Sequence, residues 1–310
     1  MRTSPPVAPP PFFRRWWTYQ RERFPLAAHG PLIAAFSFCA VSYSRMLRGE
    51  NGLPPWPALL TAFVICLLFF LQLRIADEFK DIKEDTRWRP YRAVPRGLVT
   101  LRALGVLFIA AAAVQLTAAL LLRPALALLL LLPWAYLAAM SHEFGVREWL
   151  KARPITYLWT HMLIMPLVDF FATGCDWLAS HTAPPAGLEW FLAASFCNGV
   201  VIEFGRKLRS PADEEEGVPT YTALWGLRRA PLAWLAMLAT TFVCATLAAR
   251  PLGCALPGAA ILGFLLIGAA MKVRRFQKVQ PPGAGKRFEI LSALWTLALY
   301  LGLGVLPHLL

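Results

Sequence analysis

Apolar residues in this chain come in long blocks, not in the short alternating runs of half-buried strands. "PALLTAFVICLLFFLQL" is one block; nine such segments fall at about 31–48, 55–74, 100–120, 124–141, 155–175, 187–205, 230–249, 255–271 and 288–308. Each is close to the length that crosses a hydrocarbon core of roughly 30 Å as a helix, some with tilt or short ends. The pattern predicts an all-α integral membrane protein with nine transmembrane helices.

Composition agrees: 57% of residues are hydrophobic and only 16% charged, where a soluble domain carries about a quarter. The net charge of +13 would suit nucleic acid, but its placement decides otherwise. Of the 31 Lys and Arg, all but Arg45, Arg48, Arg123 and Arg250 lie in the N-terminal segment or at the loops after the second, fourth, sixth and eighth spans. That alternation follows the positive-inside rule and predicts a multi-pass protein of the cell (inner or plasma) membrane, its N-terminus cytoplasmic and its C-terminus external. The basic balance is topological, and no nucleic-acid partner is expected. The lipid bilayer is the expected surroundings.

Residues 1–30 read as a cytoplasmic tail, Pro-rich at first, followed by an interfacial segment, "FFRRWWTYQRERF", with aromatics at headgroup depth and arginines toward anionic lipid. The six cysteines form no CxxC and read as small packing residues, although Cys175 and Cys254 both fall near the outer side, where a disulfide could form.

The second span runs into "RIADEFKDIKEDTRWRPYRAVPRG", the most charged stretch of its length. Asp77, Asp81 and Asp85 are spaced i, i+4, i+8, near one face of a helix. Stacked carboxylates repel unless counter-charges such as Lys80 and Lys83, or a divalent cation, relieve them. Mg²⁺ takes one or two carboxylates and completes its shell with water and substrate phosphate. The arginines that follow suit phosphate, because a guanidinium pairs with it bidentately. Carboxylates then arginines, at the cytoplasmic face, fit a diphosphate on a lipid-soluble tail.

The stretch resembles the first motif of the UbiA superfamily of intramembrane prenyltransferases, Asn-Asp-x-x-Asp-x-x-x-Asp followed by Arg-Pro-x-Pro-x-Gly. "DEFKDIKED" supplies Asp77, Glu78, Asp81 and Asp85, with Asp77 in place of the usual Asn, and "RAVPRG" supplies Arg92, Pro95 and Gly97. The resemblance implies a prenyltransferase unit over residues 31–310, its helices around a central cavity open to the cytoplasmic side. It further implies Mg²⁺-dependent transfer of an isoprenyl group from an isoprenoid diphosphate to a lipophilic acceptor, through an allylic carbocation.

The second motif is altered. In "VIEFGRKLRSPADEEEGVPTYTALWG", Gly217, Thr220 and Gly226 keep the family frame and Asp213 takes the last acidic position, but Arg206 and Arg209 stand where carboxylates are expected. Arg206, Lys207 and Arg209 could neutralise phosphate directly; Glu214, Glu215 and Glu216 could instead rebuild a metal site with Asp213. The expected metal set is Asp77, Asp81, Asp85 and Asp213, and the expected diphosphate set is Arg92, Lys151, Arg206 and Arg209. Around them, Glu203 pairs with Arg206 and Lys207, and Asn198 lines the pocket. His161 faces the cavity or packs. Asp169 is an intramembrane carboxylate, functional by default unless water reaches it near the outer end. His142 and Glu143 read as solvated loop residues, with proton transfer as the other role. Two further functions remain open: a terpene cyclase that quenches the carbocation intramolecularly, and a non-catalytic lipid-phosphate binder or transporter.

Overall fold

A computed structural model describes residues 11–310, and the Pro-rich start lies outside them. The regular structure of the described residues is all helical, with no strand. Thirteen α-helices follow in order: α1 (Phe12–Arg23), α2 (Leu26–Leu47), α3 (Trp56–Lys80), α4 (Ile82–Trp88), α5 (Leu101–Leu122), α6 (Pro124–Ser141), α7 (Arg147–Lys151), α8 (Pro154–Met162), α9 (Ile164–Trp177), α10 (Leu188–Arg206), α11 (Tyr221–Ala249), α12 (Ala255–Val279) and α13 (Ala284–Gly304).

The helix starts follow local chemistry. Prolines occupy the first turns of α3, α6 and α8, where a missing N–H costs nothing. Thr100 caps α5 by accepting from the Ala103 amide at 3.2 Å, and Thr220 caps α11 by accepting from Ala223 at 3.1 Å.

Eight helical segments are long and apolar enough to cross a membrane, so the chain is a multi-pass membrane protein. The ninth expected span corresponds to α13, a 21-residue helix outside that set of eight, because its first turns carry Lys286, Arg287 and Glu289. The fifth span is broken: α8 ends at Met162 and α9 starts at Ile164. Pro166 has no N–H to offer the Met162 carbonyl, so the helical ladder fails there.

The bundle packs α2 against α9 and α13, α10 against α11 and α13, and α3 against α5. Glycines set the closest approaches. A Cβ on Gly304 would fall 2.4 Å from the Cys39 backbone, and one on Gly205 would fall 2.1 Å from the Ser292 hydroxyl. Small residues at helix interfaces are how membrane helices gain dispersion contact without a hydrophobic drive. Some buried polar groups are matched across helices: Trp234 Nε1 donates to Ser292 Oγ at 3.0 Å, and Gln115 donates to the Ile65 carbonyl while accepting from Trp134, both at 3.0 Å. At the end of α9, Asp176 accepts from Ser44 at 2.7 Å and from Arg48 at 2.8 and 2.9 Å. All six cysteines are free, so Cys175 and Cys254 form no disulfide.

The interfacial segment forms α1 and exposes Phe12, Phe13 and Trp17 while burying Tyr19. Arg23 at its end forms an ion pair with Glu78, which anchors α1 on α3.

Candidate active site

Most of the candidate residues gather where α3 and α10 end. The acid row is not one continuous helix, because Asp81 closes α3 with φ −98 and ψ 5 and α4 starts after it. The backbone ladder nevertheless continues, Asp81 N–H to the Asp77 carbonyl at 2.9 Å and Asp85 N–H to the Asp81 carbonyl at 2.8 Å. The three carboxylates therefore stay a turn apart while belonging to two elements.

Their surroundings differ. Asp77 is partly open, and its only ion pair among the described residues is a loose one, 3.4 Å from Arg74. Asp85 is buried and held between Arg89 at 3.0 Å and Arg92 at 2.7 Å. Asp81 has no cationic partner within ion-pair distance among the described residues. Burial raises its carboxyl above the ordinary range, and Asp77, Asp85 and Glu84 raise it further against the opposing Lys80. Like charges without a counter-ion are what a divalent cation would relieve. Among the described residues no three of His, Cys, Asp and Glu form a ready metal-binding group. Two carboxylates with open positions are nevertheless a normal donor set for Mg²⁺, so Asp77 and Asp81 fit that ion.

Across from this row lies the end of α10. Arg206 is within electrostatic reach of Asp77, and Arg74 is within reach of both. Glu203, buried at 9% exposure, holds Arg206 at 2.5 Å and Lys207 at 2.8 Å, and these two cations keep more exposed side chains. Lys207 also lies over the Tyr221 ring at 5.8 Å. Lys151 and Arg147 each reach Glu84 at 3.2 Å, which brings α7 beside α4.

Several expected site residues are engaged elsewhere. Arg92 is spent on Asp85, and Glu78 on Arg23. The Arg209 guanidinium packs against Gly285 at the start of α13. Asp213 accepts from Ser210 Oγ at 2.6 Å and from the Gly283 amide at 2.8 Å, clasping its loop to the turn before α13. The Ser210 hydrogen bond, with the Gly283 N–H, lowers its carboxyl below the usual range. Glu214 accepts from Thr220 at 2.7 Å and Thr222 at 2.8 Å, closing the loop over the α11 cap. Asn198 accepts from Thr296 at 3.1 Å, and Asp169 from Tyr300 at 2.7 Å; both are fully buried.

One cluster was not apparent from sequence. Glu143 is 3% exposed rather than solvated. Its carboxylate accepts from Tyr157 at 3.0 Å, lies 3.5 Å from Lys80 and lies 3.2 Å from His161 Nε2. Lys80 donates to Tyr157 at 3.0 Å, and the Tyr157 and His161 rings stack at 3.9 Å. This network ties the 142–146 loop to α3 and α8 directly beside the acid row.

The two motif loops meet at Gly217. Its φ is +73, and a Cβ there would fall 2.4 Å from the Trp88 ring. Gly217→Ala is expected to cost about 2–4 kcal/mol, from left-handed backbone strain and overpacking. The loop opening should show as faster proteolysis between residues 210 and 220, with helical content unchanged. Adding Trp88→Ala should restore part of the protection; equal proteolysis of parent and Gly217→Ala chains would rule the contact out.

The model of the UbiA prenyltransferase family matches residues 35–301. No curated protein matches the chain significantly. Among solved structures, the fold is similar to that of an apo UbiA homolog from Aeropyrum pernix K1, with a TM-score of 0.66 at 17% identity over 87% of this chain and 96% of that one. It is also similar to a digeranylgeranylglyceryl phosphate synthase, with a TM-score of 0.61 at 12% identity over 96% of this chain and 100% of that one. A UbiA homolog from Archaeoglobus fulgidus bound to GPP and Mg²⁺ superposes with a TM-score of 0.55 at 15% identity, over 93% of this chain and 99% of that one.

Proposed function

The chain belongs to the UbiA prenyltransferase family, and on that premise we propose that it transfers an isoprenyl group from an isoprenoid diphosphate to a lipophilic acceptor inside the membrane, with Mg²⁺ as cofactor. The observation that carries this reading is the pair of neighbouring carboxylates Asp77 and Asp81, the second without an ion-pair partner among the described residues, with Arg206 on the facing helix end within electrostatic reach of Asp77. The Archaeoglobus homolog bound to GPP and Mg²⁺ supports the same ligand pair.

In this reading α13 is the ninth crossing, and the basic ends of α3, α10 and α12 face the cytoplasm. Asp77 and Asp81 would hold the metal. Arg74, Arg206 and Lys207 receive the diphosphate oxygens, and Glu203 positions the last two. Mg²⁺, when bound, supplies positive charge against the departing diphosphate. The bond from the allylic carbon to oxygen breaks, and its electron pair leaves with the diphosphate. The acceptor then forms the new bond to the cation and loses a proton. Arg206 and Lys207 neutralise charge where the altered second motif lacks carboxylates for a second metal.

That alteration also favours a second reading, intramolecular quenching by a terpene cyclase. The test is pyrophosphate release from geranyl, farnesyl and geranylgeranyl diphosphate by the purified chain, with Mg²⁺ or EDTA, with and without membrane lipid extract. Metal-dependent release that requires the extract supports transfer. Release without it, accompanied by a cyclic hydrocarbon or alcohol, assigns the cyclase. No release in any arm overturns both and leaves a lipid-phosphate binder.

A further inference from the structure

A second group of cations lies away from the acid row, between α12 and α13. The chain turns between these helices through Gln280 (φ 45) and Gly283 (φ 72), in the basic stretch "VRRFQKVQPPGAGKRFE". The turn sets Lys272 and Arg275, one helical turn apart on α12, beside Arg287 in the first turn of α13. A cavity of about 230 Å³ opens there, lined by these three cations and by Met271, Phe276 and Phe288. Lys272 is held over the Phe288 ring at 5.9 Å. Among the described residues none of the three cations pairs with a carboxylate. The nearest acid in sequence, Glu289, is taken by Lys286 at 3.0 Å. Three converging cations without an anion repel one another, and one phosphate group would offset all three.

The cavity is also continuous with apolar surface. Met271 on its rim is exposed, and Phe264 and Ile267 are exposed on the same face of α12, toward the middle of the bundle. Ile290 and Leu294 are exposed on α13. A free anion has no use for such a track, whereas acyl chains do. At about 230 Å³ the cavity is smaller than the roughly 300–1,000 Å³ of a drug-sized site, which suits a headgroup whose tails lie outside it. We infer that the α12–α13 cleft binds the headgroup of an anionic phospholipid, its phosphate between Lys272, Arg275 and Arg287 and its chains along Phe264, Ile267 and Met271. Basic pockets between membrane helices recognise lipid headgroups by this chemistry.

Native mass spectrometry of the purified full chain in detergent tests this, with phosphatidylglycerol, phosphatidylcholine, inorganic phosphate and farnesyl diphosphate in separate arms. The expected result is selective retention of phosphatidylglycerol, falling roughly fivefold for each cation removed in the series K272Q, R275Q, R287Q. R275E, a change at an exposed position that leaves packing untouched, should abolish the selectivity by itself, and R275K/R287K should keep it. Equal retention of phosphatidylcholine overturns the proposal, as does undiminished selectivity in R275E. Displacement of the lipid by inorganic phosphate or by farnesyl diphosphate at equal concentration overturns it too, since the cleft would then be a site for that anion.

Discussion

Asp81→Asn is expected to lower Mg²⁺-dependent pyrophosphate release about a hundredfold or more, while the metal-free protein melts at the same temperature as the parent or higher. A hundredfold corresponds to about 3 kcal/mol of lost transition-state stabilisation, within what one metal ligand supplies. The absence of a stability penalty follows from the surroundings of the side chain. Asp81 has no ion-pair partner to lose, and its charge is opposed by burial and by Asp77, Asp85 and Glu84. The pH dependence has a definite sign. A carboxyl raised above its ordinary value of 3.8 binds more protons folded than unfolded. Its contribution to stability is complete below that value and is lost as pH rises through the folded pKa. Mg²⁺ favours the ionised form and should therefore raise the melting temperature near neutrality in the parent and not in the Asn variant. Asp85→Asn should behave oppositely, lowering the melting temperature because Arg89 and Arg92 lose their buried partner. Melting curves between pH 4 and 8, with and without Mg²⁺, read all of this without turnover. An Asp81→Asn chain that keeps its Mg²⁺ shift and its activity would remove Asp81 from the metal site.

Glu143→Ala is expected to carry the largest stability cost of any single change near the site, about 3–5 kcal/mol. That is the usual penalty for leaving one member of a buried ion pair unmatched. Lys80, at 14% side-chain exposure, would lose its carboxylate, and His161 and Tyr157 would lose an acceptor. The backbone adds to the effect. Glu143 and Phe144 both hold positive φ, 51 and 54, ahead of Gly145 at 74. Such conformations cost about 1–3 kcal/mol each in non-glycine residues and persist only when surroundings over-determine them. Without the carboxylate the 142–146 loop has less reason to keep that shape. Adding Lys80→Met should recover part of the loss, since it removes the stranded charge, and the double variant should then be less unstable than the sum of the singles. Thermal melts of the four chains supply the coupling. Additive losses would show that Lys80 and Glu143 do not act as a pair.

Hydropathy made most of the helical fold legible, because a bilayer imposes its thickness on every span. The acid row and the unusual cations after the sixth span were legible for the same local reason. What the chain pattern could not carry was the choice of partner. Asp77, Asp81 and Asp85 look alike at i, i+4, i+8, yet only Asp85 lies between two arginines. Asp213 and Glu214 look like ligands, yet a serine, two threonines and the Gly283 amide use their oxygens to shape a loop. Glu143 looked solvated because its neighbours in sequence are polar, and its partners Lys80 and Tyr157 come from distant elements. The break between α8 and α9 had a local signal in Pro166, hidden by the apolar run around it.

The contact between Gly217 and Trp88 constrains how this sequence can change over generations. The two residues belong to different motifs and are separated by four membrane crossings by the segment count, yet the ring occupies the space where any side chain at 217 would begin. A lineage that shrank Trp88 first would find position 217 freer to vary, subject only to its backbone angle. One that enlarged Gly217 first would lose the docked loops before any compensation arrived. Substitutions at the two positions should therefore be inherited in one order, with the tryptophan yielding before the glycine.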